Sequence, residues 1–328
     1  MSLLPFLTEN ELRLKMNTLG SQGIPFLFII SFLKDRNLCL PLTEIDAQWI
    51  GYDLAGRSNT KTLSVVKPFT FEAFPLPYEE YLQRFEKVMQ HIRFGNTYLI
   101  NLTFPTSIRT SLSTRDIFLA SRAPYRLWIK DLFTVFSPEI FVRVKQGCIY
   151  SYPMKGTLDA SKENAAEILR NDPKERAEHF TIVDLIRNDL SMVSSQVKVK
   201  RFMYPDRIKT HRGELIQTSS EIEGILPQNW KQTLGDWFLQ LLPAGSISGA
   251  PKRKTIEILL ETEGYDRGFY TGVFGIFDGE SLESAVMIRF IEETPQGLVF
   301  KSGGGITFRS NPWHEYQELI QKVYVPIA

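Results

Sequence analysis

The sequence lacks the features of several protein classes. Its 328 residues contain only two cysteines, Cys39 and Cys148, which are far apart and form no redox or zinc-binding pair. Such sparse use of cysteine suits a reducing cytosol. The longest apolar run, residues 24–33, contains a proline and a serine and is too short to span a bilayer. The net charge is +1 with no basic block, which argues against nucleic acid as the main partner.

Targeting and repeat signals are also missing. Residues 1–15 carry acidic side chains and lack the pattern of a signal peptide. There is no internal repeat and no low-complexity tract. Because 43% of the residues are hydrophobic and 23% are charged, the composition is that of an ordinary globular protein. We therefore expect a cytoplasmic protein with no membrane partner, built as about two domains or one large elaborated domain.

Hydrophobic periodicity predicts strands and helices that do not alternate one for one. Strands are predicted at 25–33, 38–42, 49–54, 62–66, 98–103, 197–202, 215–225, 270–277, 284–291 and 299–302. Helices are predicted at 78–94, 113–121, 174–190, 230–242, 252–263 and 312–323. Adjacent strands joined by turns favour an α+β fold of large antiparallel sheets with helices outside. We expect residues 1–75 to be a short strand-rich region that completes a sheet, and residues 76–328 to be the catalytic domain.

A lysine in the pentapeptide 153–157, Pro-Met-Lys-Gly-Thr, is the first candidate for chemistry. Residues 139–155 are typical of a hairpin that turns at residues 146–147 and brings Glu139 opposite about residue 154. Glu139 and Lys155 are therefore predicted to meet at its open end. One interpretation is a solvated lysine in a surface ion pair. The other is a partly desolvated nucleophile, Lys155, beside a general acid, Glu139.

Two predicted helices carry a Glu-x-x-Glu pair near their first turns. These pairs are Glu175 with Glu178 and Glu315 with Glu318. Residues three apart lie on one face of a helix, and four carboxylates on two converging helices are a plausible site for Mg²⁺, which prefers oxygen ligands. The alternative is that the helix dipole alone favours these glutamates.

Two segments of small residues and one arginine are candidates for anion binding. The run 302–307, Ser-Gly-Gly-Gly-Ile-Thr, could cradle a carboxylate or phosphate, or could mark a tight turn or a close approach of two backbones. It is neither a dinucleotide-binding loop nor a P-loop. The loop 243–252 could wrap a polar ligand where a helix starts at Pro251. Arg289, in an apolar predicted strand, is either solvated or holds a carboxylate bidentately.

Taken together, these segments resemble the chorismate-utilising enzymes, which include anthranilate synthase component I, isochorismate and salicylate synthases, and aminodeoxychorismate synthase component I. The matching pieces occur in the family's order over residues 77–328, at 137–139, 153–157, 174–179, 183–190, 245–252, 267–270, 288–289, 303–306, 315–318 and Lys322. At the positions that correspond to 153–157, anthranilate and isochorismate synthases look to have the sequence Pro-x-Ala-Gly-Thr. The lysine of this chain in place of that alanine is similar to the aminodeoxychorismate synthase branch.

The resemblance implies a reaction and an ion. Lys155 would attack C2 of chorismate while the C4 hydroxyl leaves with the help of Glu139 as the acid. Ammonia would then enter at C4 and expel the lysine, giving 4-amino-4-deoxychorismate. Glu178 and Glu318 match Mg²⁺ ligands, and Glu175 and Glu315 would lie nearby or bind through water.

The resemblance also implies the substrate contacts. The amides of Gly303 and Gly305, with Lys322, would support the ring carboxylate, while Tyr270 and Arg289 would hold the enolpyruvyl carboxylate. The remaining residues implied at the substrate site are Gly156, Thr157, Ser246 and Gly304.

Departures and absences refine this expectation. In isochorismate-type members, the strand corresponding to residues 98–102 looks as if it carries a lysine that activates water. This chain has Leu99 there, which cannot act as a base, so the resemblance favours ammonia over water as the nucleophile. Gln217 stands where the family usually has a histidine, and an amide cannot carry a proton. The larger N-terminal region that forms a tryptophan feedback site in anthranilate synthases is cut down here to about 75 residues, so the resemblance implies no feedback inhibition by tryptophan. Family members of the aminodeoxychorismate synthase type usually take ammonia from a separate glutamine amidotransferase subunit. No Cys-His-Glu triad can be assembled here, so the resemblance implies such a partner.

Other interpretations of the same residues stay open. The chain could be an anthranilate synthase component I, which the identity of the product would decide. It could be a non-catalytic chorismate-binding subunit, with Gln217 as a trace of lost chemistry. A lyase that forms a Schiff base on Lys155 is the remaining alternative.

Overall fold

The computed structural model describes residues 5–61, 68–161, 164–210 and 213–327; for Lys155, Thr157, Asp159, Lys174, 207–210 and 213–215 it describes the backbone but not the side chain. Its strands are β1 Phe26–Ile30, β2 Asn37–Pro41, β3 Ile50–Leu54, β4 Arg57–Ser58, β5 Phe71–Phe74, β6 Leu99–Thr110, β7 Tyr125–Ile129, β8 Phe133–Ser137, β9 Ile140–Lys145, β10 Cys148–Ser151, β11 Met154–Asp159, β12 Ser195–Thr210, β13 Gly213–Ile225, β14 Gly249–Ala250, β15 Val273–Phe277, β16 Leu282–Val286, β17 Phe290–Thr294 and β18 Gly297–Ile306. Its helices are α1 Glu9–Ser21, a 3-10 turn at Leu42–Glu44, α2 Tyr78–Arg93, α3 Thr114–Ala120, α4 Ala165–Asn171, α5 Pro173–Ser191, α6 Leu234–Gln240, α7 Gly245–Ser248, α8 Lys252–Glu263 and α9 Pro312–Gln321.

The strands form two large antiparallel sheets. The first runs β11-β13-β10-β9-β16-β15-β1-β2, and β12 also pairs with β13. The second runs β14-β6-β18-β17-β8-β7-β3-β4, and β5 also pairs with β6. This arrangement confirms the predicted α+β fold of large antiparallel sheets. The division at residue 75 stays a prediction.

The core lies both between the sheets and under the helices, and β1 shows why. Leu27 and Ile29 belong to an apolar cluster shared by the two sheets. Phe26 and Phe28 point the other way, into a cluster with side chains of α1, α5 and α6. A strand buried on both faces has a continuous apolar sequence instead of an alternating one. The helices therefore cover the outer faces of a sandwich.

Helix α2 follows directly from its sequence pattern. Its buried residues recur at helical spacing and are Tyr81, Phe85, Val88, Met89 and Ile92. They pack on the second sheet with residues of β6, α8 and α9. Among the described residues, none of the helices combines the length and the apolarity that crossing a bilayer requires.

Several elements differ from the sequence expectations. Helix α1 was not expected, although Thr8 and Glu11 form a capping box at its start. The β7–β8 hairpin was also missed. The predicted strand 284–291 is wrong, because β16 ends at Val286 in the first sheet and β17 begins at Phe290 in the second. β16 and the first two residues of β17 are buried, so the apolar pattern carries no mark of this crossing. The predicted strand 62–66 lies outside the described residues.

Candidate active site

The hairpin β9–β10 has the predicted register. It turns at residues 146–147, both with positive φ, and pairs Tyr150 with Arg143. The observed pairs end there; Glu139 and Met154, which would lie opposite each other if the register continued, both line one cavity. The turn alone sets this alignment, because in a two-residue hairpin the loop fixes which residues pair.

Strand β11 continues the path of β10 along β13 and contains a bulge. The backbone of Lys155 pairs with Thr218, whereas Thr157 pairs with Gln217, so Gly156 is an extra residue in β11. A β-bulge of this kind bends a strand and changes the direction of its side chains. The bulge therefore directly follows Lys155, the predicted nucleophile. The structure describes the backbone but not the side chains of Lys155 and Thr157.

Gly156 is required at the bulge for two reasons. Its φ of +66° lies in the left-handed region, and a Cβ atom there would lie 2.8 Å from Oε2 of Glu175. Glu175 is held at the start of α5, where its backbone N–H donates to the carboxylate of Asp172 at 2.9 Å. Asp172 thus caps the start of α5. One carboxylate of the first Glu-x-x-Glu pair thus contacts the backbone next to Lys155.

Glu139 has a dedicated partner from a distant segment. The Ser246 hydroxyl donates to its Oε1 at 2.9 Å. Ser246 lies in α7, so the predicted small-residue loop 243–252 contains a short helix and then β14. A hydroxyl donor stabilises a carboxylate and orients its oxygens. Glu139 is therefore held in one position.

Most of the predicted site residues line one cavity of about 160 Å³. Those that line it are Glu139, Ser246, Tyr270, Arg289, Gly303, Gly305, Glu318 and Lys322. Ile247, inside the predicted loop 243–252, also lines it, and so do Asn101 and Ile182, to which nothing in the sequence pointed. They were missed because an apolar or amide side chain on a buried element carries no local sign of a site. Leu99 lines the cavity as well.

Arg289 occupies the crossing between the two sheets and is not in a strand. Its φ is +54°, a conformation that costs a non-glycine residue about 1–3 kcal/mol. Its guanidinium carbon lies 5.5 Å from the ring centre of Tyr324. Among the described residues, the buried Nε atom has no hydrogen-bond partner. A strained arginine with an unused donor at a cavity is suited to a carboxylate ligand.

Tyr270 is 3% exposed and lies in the same wall. Burial raises the pKa of its phenol well above the ordinary value. The hydroxyl is therefore protonated at neutral pH. It can donate a hydrogen bond into the cavity.

The glycine run belongs to β18 and is not a loop. A Cβ atom on Gly303 would lie 2.4 Å from the Leu102 carbonyl oxygen of β6, so the two backbones approach as closely as glycine allows. Pairing with β17 ends at Lys301. Beyond it, one edge of β18 has no paired strand among the described residues and borders the cavity, which Gly303 and Gly305 line.

The second Glu-x-x-Glu pair surrounds the middle glycine. A Cβ atom on Gly304 would lie 3.4 Å from Oε2 of Glu315, 3.9 Å from Oε1 of Glu318 and 3.9 Å from Nζ of Lys322. Lys322 also pairs with Glu318 at 2.6 Å and donates to the Gly303 carbonyl at 2.8 Å. Helix α9 begins directly after Asn311, whose side chain caps it. Carboxylate oxygens that converge on a side-chain-free position fit a hard cation.

Glu178 lies in a neighbouring pocket. This pocket has a volume of about 300 Å³ and shares Leu99 and Ile182 with the cavity. Among the described residues, no three His, Cys, Asp or Glu side chains are grouped as a metal site. The Mg²⁺ site formed by the four glutamates therefore stays a prediction. Of the four, Glu315 and Glu318 lie close together beside Gly304.

Other motif residues connect the elements around the cavity. His179 of α5 hydrogen-bonds Ser220 of β13 at 2.6 Å. Lys252 of α8 contacts Asp189 of α5 at 3.0 Å. Burial raises the pKa of Asp189, and Lys252 acts against that rise. These contacts fix α5, which carries Glu175 and Glu178, against the first sheet and α8.

Comparison with known proteins covers most of the chain. Residues 41–328 match the family model described as chorismate binding enzyme. A Haemophilus influenzae protein named "Uncharacterized PabA-like protein" is 49% identical over 311 residues, 95% of each chain. Aminodeoxychorismate synthase component 1 of Bacillus subtilis is 32% identical over 301 residues, 86% of this chain and 62% of that one. The solved anthranilate synthase component I of Streptococcus pneumoniae TIGR4 matches with a TM-score of 0.65 and 26% identity, over 81% of this chain and 60% of that one.

Proposed function

Because the chain belongs to the chorismate-binding enzyme family, we propose that it aminates chorismate at C4 and forms 4-amino-4-deoxychorismate, with ammonia supplied by a glutamine amidotransferase partner. The product would enter p-aminobenzoate and folate synthesis. The proposal is supported by the aminodeoxychorismate synthase component 1 among its relatives. It is also supported by the lysine at position 155.

One observation carries this proposal. Glu139, held by Ser246 at 2.9 Å, lines a cavity that Met154 also lines, one residue before Lys155 on β11. The proposal brings the amine of Lys155 to this cavity beside Glu139, because an acid and an amine are the two groups that substitution of a ring hydroxyl needs. Leu99 in the wall offers no base for water, which supports ammonia as the incoming nucleophile.

The reaction balances with these residues. The amine of Lys155 adds at C2 of chorismate, the two ring double bonds shift, and the C4 hydroxyl leaves as water with a proton from Glu139. Ammonia then adds at C4, the double bonds shift back, and the lysine amine leaves C2. The surplus proton of the added ammonia returns to Glu139. Chorismate and ammonia thus give aminodeoxychorismate and water.

The two carboxylates of chorismate have separate receptors in this proposal. Arg289 and Tyr270 would bind the enolpyruvyl carboxylate, because both line the cavity and can donate hydrogen bonds. Lys322 and the open edge of β18 would bind the ring carboxylate. Glu318 and Glu178 would hold Mg²⁺, with Glu175 and Glu315 nearby. When bound, Mg²⁺ would neutralise the charge of that ring carboxylate.

The test is product identification with matched lysine variants. Purified protein is incubated with chorismate, MgCl₂ and ammonium at mildly alkaline pH, and the product is identified by mass and by conversion with an added lyase. Aminodeoxychorismate is expected from the wild type and from Lys145→Ala, an exposed lysine of the same hairpin. Lys155→Ala should lose at least a hundredfold in turnover, since it lacks the nucleophile.

Other outcomes would refute the proposal. Anthranilate as the product would make the chain an anthranilate synthase component I. No consumption of chorismate, with or without an amidotransferase, would favour a binding subunit. Equal activity of the two lysine variants would remove Lys155 from the mechanism.

A further inference from the structure

A buried arginine lies behind the cavity wall, in the connection between α8 and β15. Arg267 is 3% exposed and makes two hydrogen bonds to Glu263, of 2.7 Å from Nε and 2.6 Å from Nη2. Burial acts to lower the pKa of Arg267, but the charge and hydrogen bonds of Glu263 raise it above its ordinary value. The pair is therefore a charged, bidentate contact in the interior.

The remaining donors of Arg267 reach two segments of the wall. Nη2 donates to the Asn101 carbonyl at 2.6 Å, and Nη1 donates to the Ile247 carbonyl at 3.1 Å. The side-chain amide of Asn101 donates to the same Ile247 carbonyl at 3.1 Å. Asn101 and Ile247 both line the cavity, although they lie on β6 and α7. One guanidinium thus joins two distant segments of the wall.

A third segment of the wall is attached through a threonine. Nη1 of Arg267 donates to the Thr271 hydroxyl at 3.1 Å. That hydroxyl donates to the carbonyl of Tyr270 at 2.6 Å. Tyr270 lines the cavity. The network thus reaches three of the cavity's segments without entering the cavity.

Glu263 extends the network along β6. Its Oε1 accepts the backbone N–H of Thr103 at 2.8 Å and the Thr103 hydroxyl at 2.7 Å. Thr103 pairs with Gly303, and Asn101 pairs with Gly305. The network therefore fixes the strand that supports the open edge of the glycine run.

We propose that Arg267, oriented by Glu263, is a positioning residue that keeps Ser246 within hydrogen-bond distance of Glu139. Ser246 precedes Ile247 in the short helix α7, so the carbonyl that Arg267 holds is one residue from the hydroxyl that Glu139 needs. A lysine cannot replace this function, because a single ammonium cannot reach a carboxylate and two separate carbonyls in one plane. The kinetic assay for this role rests on the proposed function, whereas the hydrogen bonds of Arg267 do not depend on it.

Matched arginine variants test the proposal. Arg126 is also buried, at 6% exposure, pairs with Asp53, and donates to the carbonyls of Phe118 and Ser121. Arg267→Lys should lower kcat for chorismate about 10- to 100-fold, the usual effect of a misplaced catalytic group. Arg126→Lys should change kcat less than about threefold at a comparable loss of stability. Equal kcat losses in the two variants would overturn the proposal.

A double-mutant cycle separates positioning from general structure. Ser246→Ala and Arg267→Lys act through one hydrogen bond, so the double variant should lose no more kcat than the worse single variant. Fold losses that multiply would show that Arg267 does not act through Ser246. If Arg267→Lys fails to fold, Glu263→Gln takes its place, since it keeps the volume and weakens the bidentate pair.

A crystal structure of the variant gives a result that does not depend on the reaction. In Arg267→Lys, the distance from Ser246 Oγ to Glu139 Oε1 should exceed hydrogen-bonding range. A distance that stays at the wild-type 2.9 Å would overturn the proposal even for an inactive protein. Failure of the wild type to consume chorismate would instead count only against the proposed function.

Discussion

Two neighbouring glycines of β18 offer a matched pair of substitutions with opposite expected outcomes. At Gly303 a Cβ atom would lie 2.4 Å from the Leu102 carbonyl oxygen and 2.8 Å from Cα of Thr103. At Gly304 the nearest atom is Oε2 of Glu315, at 3.4 Å, an ordinary contact. Gly303→Ala should therefore damage the pairing of β18 with β6. Gly304→Ala should leave the fold intact.

The magnitude follows from what must move. Two of the three nearest atoms to the new Cβ at position 303 belong to backbone, so rotating the third, the Thr103 methyl group, does not relieve the overlap. Overpacking costs roughly 1–3 kcal/mol, and a backbone clash lies at the upper end. Replacing glycine returns about 0.5–1 kcal/mol through the unfolded chain. The net loss for Gly303→Ala is about 2 kcal/mol, whereas Gly304→Ala should change stability by less than about 1 kcal/mol.

The Mg²⁺ dependence of activity, in contrast, should change in Gly304→Ala. A methyl group on Gly304 would occupy the space beside Glu315, Glu318 and Lys322. A bound Mg²⁺ and its waters need that space, since ligand oxygens lie about 2 Å from the ion. Gly304→Ala should therefore raise the Mg²⁺ concentration for half-maximal activity at least about tenfold, a change of roughly 1.4 kcal/mol.

Urea unfolding and Mg²⁺ titration of activity measure the two effects separately. A wild-type urea midpoint for Gly303→Ala would refute the close approach of the strands. An unchanged Mg²⁺ dependence for Gly304→Ala would refute a metal site at Glu315 and Glu318.

Two further predictions concern the bulge and the pH dependence of stability. Gly156→Ala should lower turnover at least about tenfold, because left-handed strain and the contact with Glu175 both act beside Lys155; wild-type turnover at an unchanged melting temperature would contradict this. Burial acts to raise the pKa of Asp278, but hydrogen bonds in its own turn and a neighbouring arginine lower it from 3.8 to about 2. Asp278 therefore stabilises the fold above about pH 4, and this contribution is lost as the pH falls from about 4 to 2. Asp278→Asn should lower the free energy of unfolding by about 1 kcal/mol at pH 7, a figure discounted for partial exposure. It should also make the urea midpoint depend less on pH between pH 4 and 2. A pH dependence equal to that of the wild type would contradict a stabilising role of the Asp278 carboxylate.

Predictions from local patterns agree with the structure. Helix α8 has the predicted bounds, and Asp172 and Asn311 cap the predicted helices. The turn at residues 146–147 has positive φ values, and the register of the hairpin follows from it. Such features depend on contacts within a few residues, so the sequence contains what decides them.

Predictions failed where distant contacts decide. Arg289 was expected in a strand, yet it lies at the crossing between the sheets with φ of +54°. For the run of glycines the sequence left a turn and a close approach of two backbones open, and only its pairing with β6 decides for the close approach. Both segments are half-buried and border the cavity. An apolar or glycine-rich sequence is compatible with more than one backbone in such surroundings.

The order of the motifs and the chemistry of their side chains are properties of the chain alone, and they suffice to identify a lysine, an acid and two pairs of carboxylates. Their assembly is a property of the packed molecule. Ser246 reaches Glu139 across 107 residues of sequence, and Arg267 reaches Asn101 across 166. No local pattern encodes these pairings, because they arise only when the two sheets and their helices bury a shared core. That burial is non-directional, so the particular contacts at the cavity depend on how the whole chain packs.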